Sequence, residues 1–247
     1  RRHRPLTKWL IARMDAVIAT SARSAAFLEV PNTVVMHGID TDRFVPAAGA
    51  ADRFADSGLS GRYAIGCFGR IRHQKGTDLF VEAMIRLLPS HPDWTAVITG
   101  RITADNRDFA EDLKARIADA GLASRIIFLG EVPDIAPWYR RISLYVAPSR
   151  NEGFGLTPLE AMASGAAVVA SDAGAYAELI EDGTTGAVVP AGDAEALAAT
   201  IARYLRDPGL AAMHGRAGME RARTRFSIDI EAHAVRAIYE TLWREGS

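Results

Sequence analysis

The sequence predicts an α/β fold: a doubly wound, Rossmann-like parallel sheet covered by helices on both faces. Two observations carry that expectation. Short, nearly continuous apolar runs alternate with longer amphipathic segments along most of the chain. Two glycine-bearing loops, after Phe68 and after Ala147, follow apolar runs and lead into helical patterns, the order of a strand–loop–helix unit.

Taken in order, the chain opens on Arg1-Arg2-His3-Arg4, followed at helical spacing by Leu6, Trp9, Leu10 and Met14, with Lys8 and Arg13 between them. Such a helix could lie on an anionic membrane. The apolar positions are few and the pattern short, so a core helix with a solvated basic side is expected. Residues 15–20 and 33–36 read as strands. The next apolar runs fall at 63–68, 94–99, 126–129, 144–147, 167–170 and 186–189. Helical patterns occupy 78–88, 107–120, 135–140, 158–163, 175–180 and 194–205, and the stretch 209–243 is helical with no further strand.

Small residues and a proline in Val45-Pro46-Ala47-Ala48-Gly49-Ala50-Ala51 mark a linker. Before it there is too little chain to bury a core; after it a complete doubly wound unit follows. The expected division is residues 1–45, the tail of another domain whose beginning is absent plus the linker; 46–226, the sheet domain; and 227–247, a closing helix. The alternative is that the leading residues extend the same sheet.

Bulk properties exclude several functions. The formal net charge of −1 argues against a nucleic-acid partner, whose phosphates favour a basic face. The single cysteine, Cys67, excludes an internal disulfide and sits in an apolar run, where a small buried residue is the expected reading. No apolar run approaches the length that spans a bilayer, and no signal peptide is visible, so a cytoplasmic location is expected. The histidines lack metal-ligand spacing. Asp40-Thr41-Asp42 spells a possible metal pair, but such a short pattern recurs by chance.

In an open parallel sheet, ligands bind where strand C-termini meet helix N-termini. The first loop there is Gly69-Arg70-Ile71-Arg72-His73-Gln74-Lys75-Gly76. Its glycines permit close backbone approach. Arg70 and Lys75 can reach one anion, Arg by gripping two phosphate oxygens and Lys as a compact charge. The order of residues is not that of a Walker loop or of a dinucleotide fingerprint. An exposed basic turn is the structural alternative.

The second loop is Pro148-Ser149-Arg150-Asn151-Glu152-Gly153-Phe154-Gly155-Leu156-Thr157-Pro158-Leu159-Glu160. Thr157 and Pro158 signal a helix start, and Gly153 and Gly155 expose backbone N–H groups ahead of it, which suits a phosphate. Thr157 and Glu160 also fit a capping box, which would give Glu160 a purely structural task. Glu152 has no evident structural task. Cations beside a helix start favour a diphosphate over a carboxylate-pair glycosidase.

These residues resemble a known family. Glu152 and Glu160, with Gly69-Arg70 and Lys75-Gly76 upstream, are similar to the signature of retaining glycosyltransferase family 4, whose fold is GT-B. Residues 15–21 and His37-Gly38-Ile39-Asp40 resemble the end of that family's first lobe, and Asp172-Ala173-Gly174 and Glu181-Asp182-Gly183-Thr184-Thr185-Gly186 its later loops. Residues 72–78 are similar to bacterial lipopolysaccharide-core mannosyltransferases. The resemblance implies the C-terminal, donor-binding lobe, with the first lobe and its acceptor groove missing and residues 227–247 returning towards it.

The resemblance also implies roles. Arg70, Lys75 and Glu152 would be the catalytic set. Arg70 and Lys75 would bind the donor diphosphate and Gly69 would belong to the same site. Glu160 would hold the ribose hydroxyls and Glu152 the hexose hydroxyls. Backbone groups at Gly153, Phe154, Gly155 and Leu156, with Thr157, would hold sugar and phosphate, and Val132 would lie by the base. The implied partners are a nucleotide-sugar donor, GDP-mannose, and a glycan or glycolipid acceptor such as lipopolysaccharide core, with no metal or other cofactor. Transfer would retain anomeric configuration, and the chain alone would bind donor but transfer little. Peripheral membrane association at the inner face would come through the missing lobe. A non-catalytic nucleotide-sugar-binding module is the alternative.

Overall fold

The computed structural model describes residues 5–48 and 60–245. Arg1-Arg2-His3-Arg4 and the Gly49-Ala50-Ala51 end of the expected linker lie outside them. The elements run α1 (Pro5–Ile11), β1 (Ile18–Ala19), α2 (Ala22–Ala25), β2 (Thr33–Val34), β3 (Tyr63–Phe68), α3 (Thr77–Leu87), β4 (Trp94–Thr99), α4 (Arg107–Asp119), β5 (Ile126–Gly130), α5 (Ala136–Arg141) and β6 (Leu144–Ala147). They continue as α6 (Thr157–Ala163), β7 (Ala167–Ser171), α7 (Tyr176–Leu179), β8 (Gly186–Val189), α8 (Ala194–Arg206), α9 (Pro208–Arg225) and α10 (Ile228–Glu245).

Six parallel strands pair in the order β5-β4-β3-β6-β7-β8. Chain progression reverses between β3 and β6, where Ile65 pairs with Leu144 and Gly66 with Tyr145. That reversal opens a crevice beyond the strand ends, and both loops singled out in the sequence leave from it.

Strand alternation supplies two cores. Ile65, Cys67, Leu144, Val146, Ala167 and Val169 face one cluster, with α3, α4 and α8. Ala64, Phe68, Tyr145, Ala147, Val168 and Ala170 face the other, with α5 and α6. Burial on both faces explains why these strands read as continuous apolar runs rather than alternating ones.

β1 and β2 form a separate two-stranded parallel sheet, so the leading residues do not extend the main one and that alternative falls. Two expectations about the leading segment are corrected. With one partner each, β1 and β2 are two residues long rather than the full apolar runs. The opening helix is not a core helix: α1 buries no residue, and Leu6, Trp9, Leu10 and Met14 are all exposed. Lys8 reaches Glu29, and the Arg13 guanidinium lies 3.7 Å from the Trp9 ring centre.

The helical stretch after Gly209 is two helices, broken at Phe226 and Ser227. The break exchanges helical bonds for a bridge to the leading segment: Ile39 N–H donates to the Phe226 carbonyl and Ile228 N–H to that of Ile39. Phe226, Ile39 and Phe44 are buried in one cluster, which anchors residues 36–44 to the sheet domain. Asp40 caps a turn by accepting from the N–H groups of Asp42 and Arg43, which gives the Asp40-Thr41-Asp42 pattern a structural task. Among the described residues no helix is long and apolar enough to cross a membrane, and no group of three His, Cys, Asp or Glu could hold a metal ion.

Candidate functional site

The site is built from two loops held face to face. The first turns away from β3 at Gly69, makes a single 3-10 turn over His73–Lys75, and passes into α3 through Gly76. Gly69 and Gly76 both have positive φ, 137° and 70°. Gly76 also presses on the second loop, where a Cβ would lie 2.0 Å from the Pro148 carbonyl oxygen. Arg150 then clamps the pair. Its guanidinium donates to both Asp78 carboxylate oxygens at 2.7 Å and to the His73 carbonyl, and its N–H donates to Gln74. Below them Tyr145, on β6, donates to the Phe68 carbonyl at the end of β3.

A cleft opens between these loops at the strand ends, lined by Gly69, Arg70, Lys75, Pro148, Thr157 and Tyr176 among others. Arg70 is exposed there and makes no hydrogen bond or ion pair with the described residues. Lys75 is not free: its ammonium is paired with the Glu152 carboxylate, both side chains being mostly shielded from water. Glu152 therefore has the structural partners that the sequence did not reveal. It also accepts from Tyr176 Oη at 3.0 Å and from Gly153 N–H at 3.1 Å. Burial pushes its carboxyl up, but the Lys75 hydrogen bond and charge, with the Gly153 and Tyr176 hydrogen bonds, together outweigh this and hold it below its usual value.

Glu160 is the second correction. The residue before α6 is Leu156, whose conformation is helical, and no side chain caps the helix, so Thr157 and Glu160 form no capping box. Glu160 instead points to α5, where Tyr139, fully buried, donates to its Oε2 at 2.8 Å. Burial raises its carboxyl above the usual value, against the Tyr139 hydrogen bond and the Arg43 charge. Released from a cap, this carboxylate keeps acceptor capacity for a ligand hydroxyl.

That shift has a testable sign. The folded chain holds the Glu160 proton to higher pH than the unfolded chain. Its contribution to stability is full below the unfolded value and lost as pH rises through the folded one. Glu160→Gln keeps an acceptor for Tyr139, so its melting temperature should exceed the parent's at neutral pH, with the difference closing towards about pH 4. Thermal melts across pH check this.

The remaining expected residues divide by position. Gly153 is exposed with open space around it, and Leu156 is exposed. Phe154 is buried, its ring 5.1 Å from His37 in an edge-on contact, which leaves only its backbone for a ligand. Gly155 has positive φ and lies against the Tyr176 ring. Val132 is half-buried on the loop after β5 and is not among the residues lining the cleft. Cys67 is buried, and burial pushes its thiol up to about 12, as expected of a packed residue rather than a nucleophile. Sequence reasoning missed Tyr139, Arg150 and Tyr176. Arg150 sits within the second loop, so its charge was visible; the two tyrosines carried no local signal.

Known proteins resemble this chain along most of its length. Residues 62–207 match the family described as glycosyl transferases group 1. The lipopolysaccharide core biosynthesis mannosyltransferase LpcC of Rhizobium leguminosarum bv. viciae is 63% identical, over 98% of this chain and 69% of that protein. Among solved structures, the C-terminal domain of a group 1 glycosyl transferase, LpcC from Francisella tularensis, is 40% identical with a TM-score of 0.74, covering 77% of this chain and 100% of that one. Anabaena Alr3699/HepE, solved with UDP and glucose, is 26% identical with a TM-score of 0.83, covering 95% and 66%.

Proposed function

Because this chain belongs to the group 1 glycosyltransferases, we propose that its cleft binds the donor for mannosyl transfer onto lipopolysaccharide core, taking mannose from GDP-mannose with retention of anomeric configuration. Its sheet is that of the C-terminal lobe of GT-B glycosyltransferases. The observation that carries the reading is the unpaired Arg70 guanidinium at the mouth of a cleft shared with Lys75, at the reversal point of a doubly wound sheet. The name of the Rhizobium relative suggests the sugar and the acceptor, and the Anabaena structure, solved with UDP and glucose, supports a nucleoside diphosphate as the ligand class.

In this reading the donor's diphosphate lies over the first loop. Arg70 grips its oxygens and Lys75, with donors to spare beyond the one spent on Glu152, supplies a second charge. As the bond from sugar to diphosphate breaks, the sugar becomes oxocarbenium-like and the leaving group gains negative charge. Fixed cations aimed at that charge act more strongly in the transition state than before it. Glu160 accepts from the ribose hydroxyls and Glu152 from those of the hexose. Gly69 and the backbone at Gly153, Phe154, Gly155 and Leu156, with Thr157, complete the cradle, and Val132 lies towards the base. Residues 5–44 and α10 belong in this reading to the side that meets the acceptor lobe.

Calorimetry with GDP, UDP, ADP and their sugars tests the proposal. GDP should bind most tightly. Arg70→Ala should weaken it by about 1.5–3 kcal/mol, the worth of a charge-assisted hydrogen bond. The Arg70 side chain is exposed and makes no hydrogen bond or ion pair with the described residues, so thermal stability should change little. Unchanged GDP affinity in Arg70→Ala would remove the diphosphate role.

A further inference from the structure

We infer that Tyr176 is the positioning residue that orients Glu152 towards the transferred sugar, by occupying one carboxylate oxygen so that the other faces the ligand. The inference rests on the donor reading above and assigns the division of labour within Glu152.

The two oxygens of Glu152 are not equivalent. Oε2 receives both the Lys75 ammonium and the Tyr176 hydroxyl, the latter at 3.0 Å. Oε1 receives only the N–H of its neighbour Gly153, at 3.1 Å, among the described residues. An ionised carboxylate has about four lone-pair sites, two to each oxygen. Oε2 is thus filled by the protein, while Oε1 retains room for one further donor, and a hexose hydroxyl is a donor of the right kind.

Tyr176 is built to hold that arrangement. It is 1% exposed at the start of α7, so its hydroxyl must find partners inside the protein. Glu152, when ionised, can only accept, which commits the single phenolic hydrogen to it. The Ser149 hydroxyl, 3.5 Å from Tyr176 Oη, is then left to donate to the phenolic oxygen. The ring also supports the loop itself: a Cβ on Gly155 would lie 2.3 Å from Tyr176 Cε1, so the chain passes directly over the ring at a glycine with φ of 86°. The same side chain therefore fixes the height of the loop and the rotation of the carboxylate. Lys75 alone could not fix that rotation, because an ammonium is a flexible point charge able to follow either oxygen.

Tyr176→Phe keeps the ring beneath Gly155 and deletes only the hydroxyl. Affinities for GDP and GDP-mannose are measured by calorimetry in the parent, Tyr176→Phe, Glu152→Gln and the double variant. The expected result is GDP affinity within about twofold of the parent in Tyr176→Phe, while GDP-mannose weakens roughly tenfold, the loss of one well-placed charge-assisted contact. The double variant should be no weaker than Glu152→Gln alone, since both act through one carboxylate. Because the Tyr176 hydrogen bond helps hold the Glu152 carboxyl low, the acid limb of GDP-mannose binding should also move to higher pH in Tyr176→Phe. Equal loss for GDP and GDP-mannose would mean a packing role only and would overturn the inference, as would no change for either ligand. A Glu152→Gln variant that keeps the parent's full difference between GDP and GDP-mannose would instead remove the sugar role of Glu152.

Discussion

Lys75→Ala should weaken GDP binding by about 1.5–3 kcal/mol and destabilise the chain as well. The second effect separates it from Arg70→Ala. Lys75 and Glu152 side chains are 21% and 15% exposed, so their pair lies largely out of water and removing one partner strands the other. Such a loss costs more than breaking an exposed pair, which is worth at most about 1 kcal/mol. The pH dependence has a definite sign. Glu152 is held below its usual value in the folded chain, so the pair's contribution is present above the unfolded value and lost as pH falls through the folded one. The stability gap between parent and Lys75→Ala should therefore be widest at neutral pH and narrow in acid. Lys75→Ala combined with Glu152→Gln removes the stranded charge. It should recover stability at neutral pH without recovering GDP affinity. Denaturant melts across pH, beside calorimetry, measure both quantities.

Gly76→Ala should cost about 3 kcal/mol or more of stability and abolish tight donor binding. Its φ of 70° lies in the left-handed region, and a Cβ would sit 2.0 Å from the Pro148 carbonyl oxygen and 2.7 Å from its carbon. Backbone has to move to relieve that contact, and the backbone in question is the seam between the two site loops. Gly121 is the matched control: it has the same φ of 70°, but nothing lies within 4 Å of where its Cβ would be. Gly121→Ala should cost only the conformational strain, about 1 kcal/mol, and leave donor affinity at the parent value. Comparing the two by denaturant unfolding and GDP titration isolates the loop contact from the strain.

The sheet was legible because its strands are buried on both faces. Apolar runs at 63–68, 94–99, 144–147 and 186–189 have the same limits as β3, β4, β6 and β8, since each stops where the chain turns into a loop at the sheet edge. The leading segment was less legible. β1 and β2 are cut short by having one partner each, and the apolar face of α1 finds no cover among the described residues. The pattern of Leu6, Trp9 and Leu10 reports helix and amphipathicity but not what lies opposite. Near Phe226 a helical pattern ran on while the chain broke to bridge Ile39, a partner far away in sequence.

The site shows the same division. The cations, glycines and carboxylates were visible in two short loops, and the fold brings Arg70, Lys75 and Thr157 to one cleft. Their pairings were not visible. Glu160 matched a capping box by spacing, yet burial against α5 turned it to Tyr139. Lys75 and Glu152 are separated by most of the intervening half of the sheet in sequence, as are Asp78 and Arg150, and meet only because β3 and β6 are neighbours at the reversal point. Local sequence discloses which groups are present; strand order decides which of them touch.

The most direct test of the account is a crystal structure of this chain with GDP. The expected result is a diphosphate between Arg70 and Lys75 at the start of α6, with a ribose hydroxyl on Glu160. GDP bound at any other place, with Arg70 turned to solvent and Glu160 touching Tyr139 alone, would contradict it.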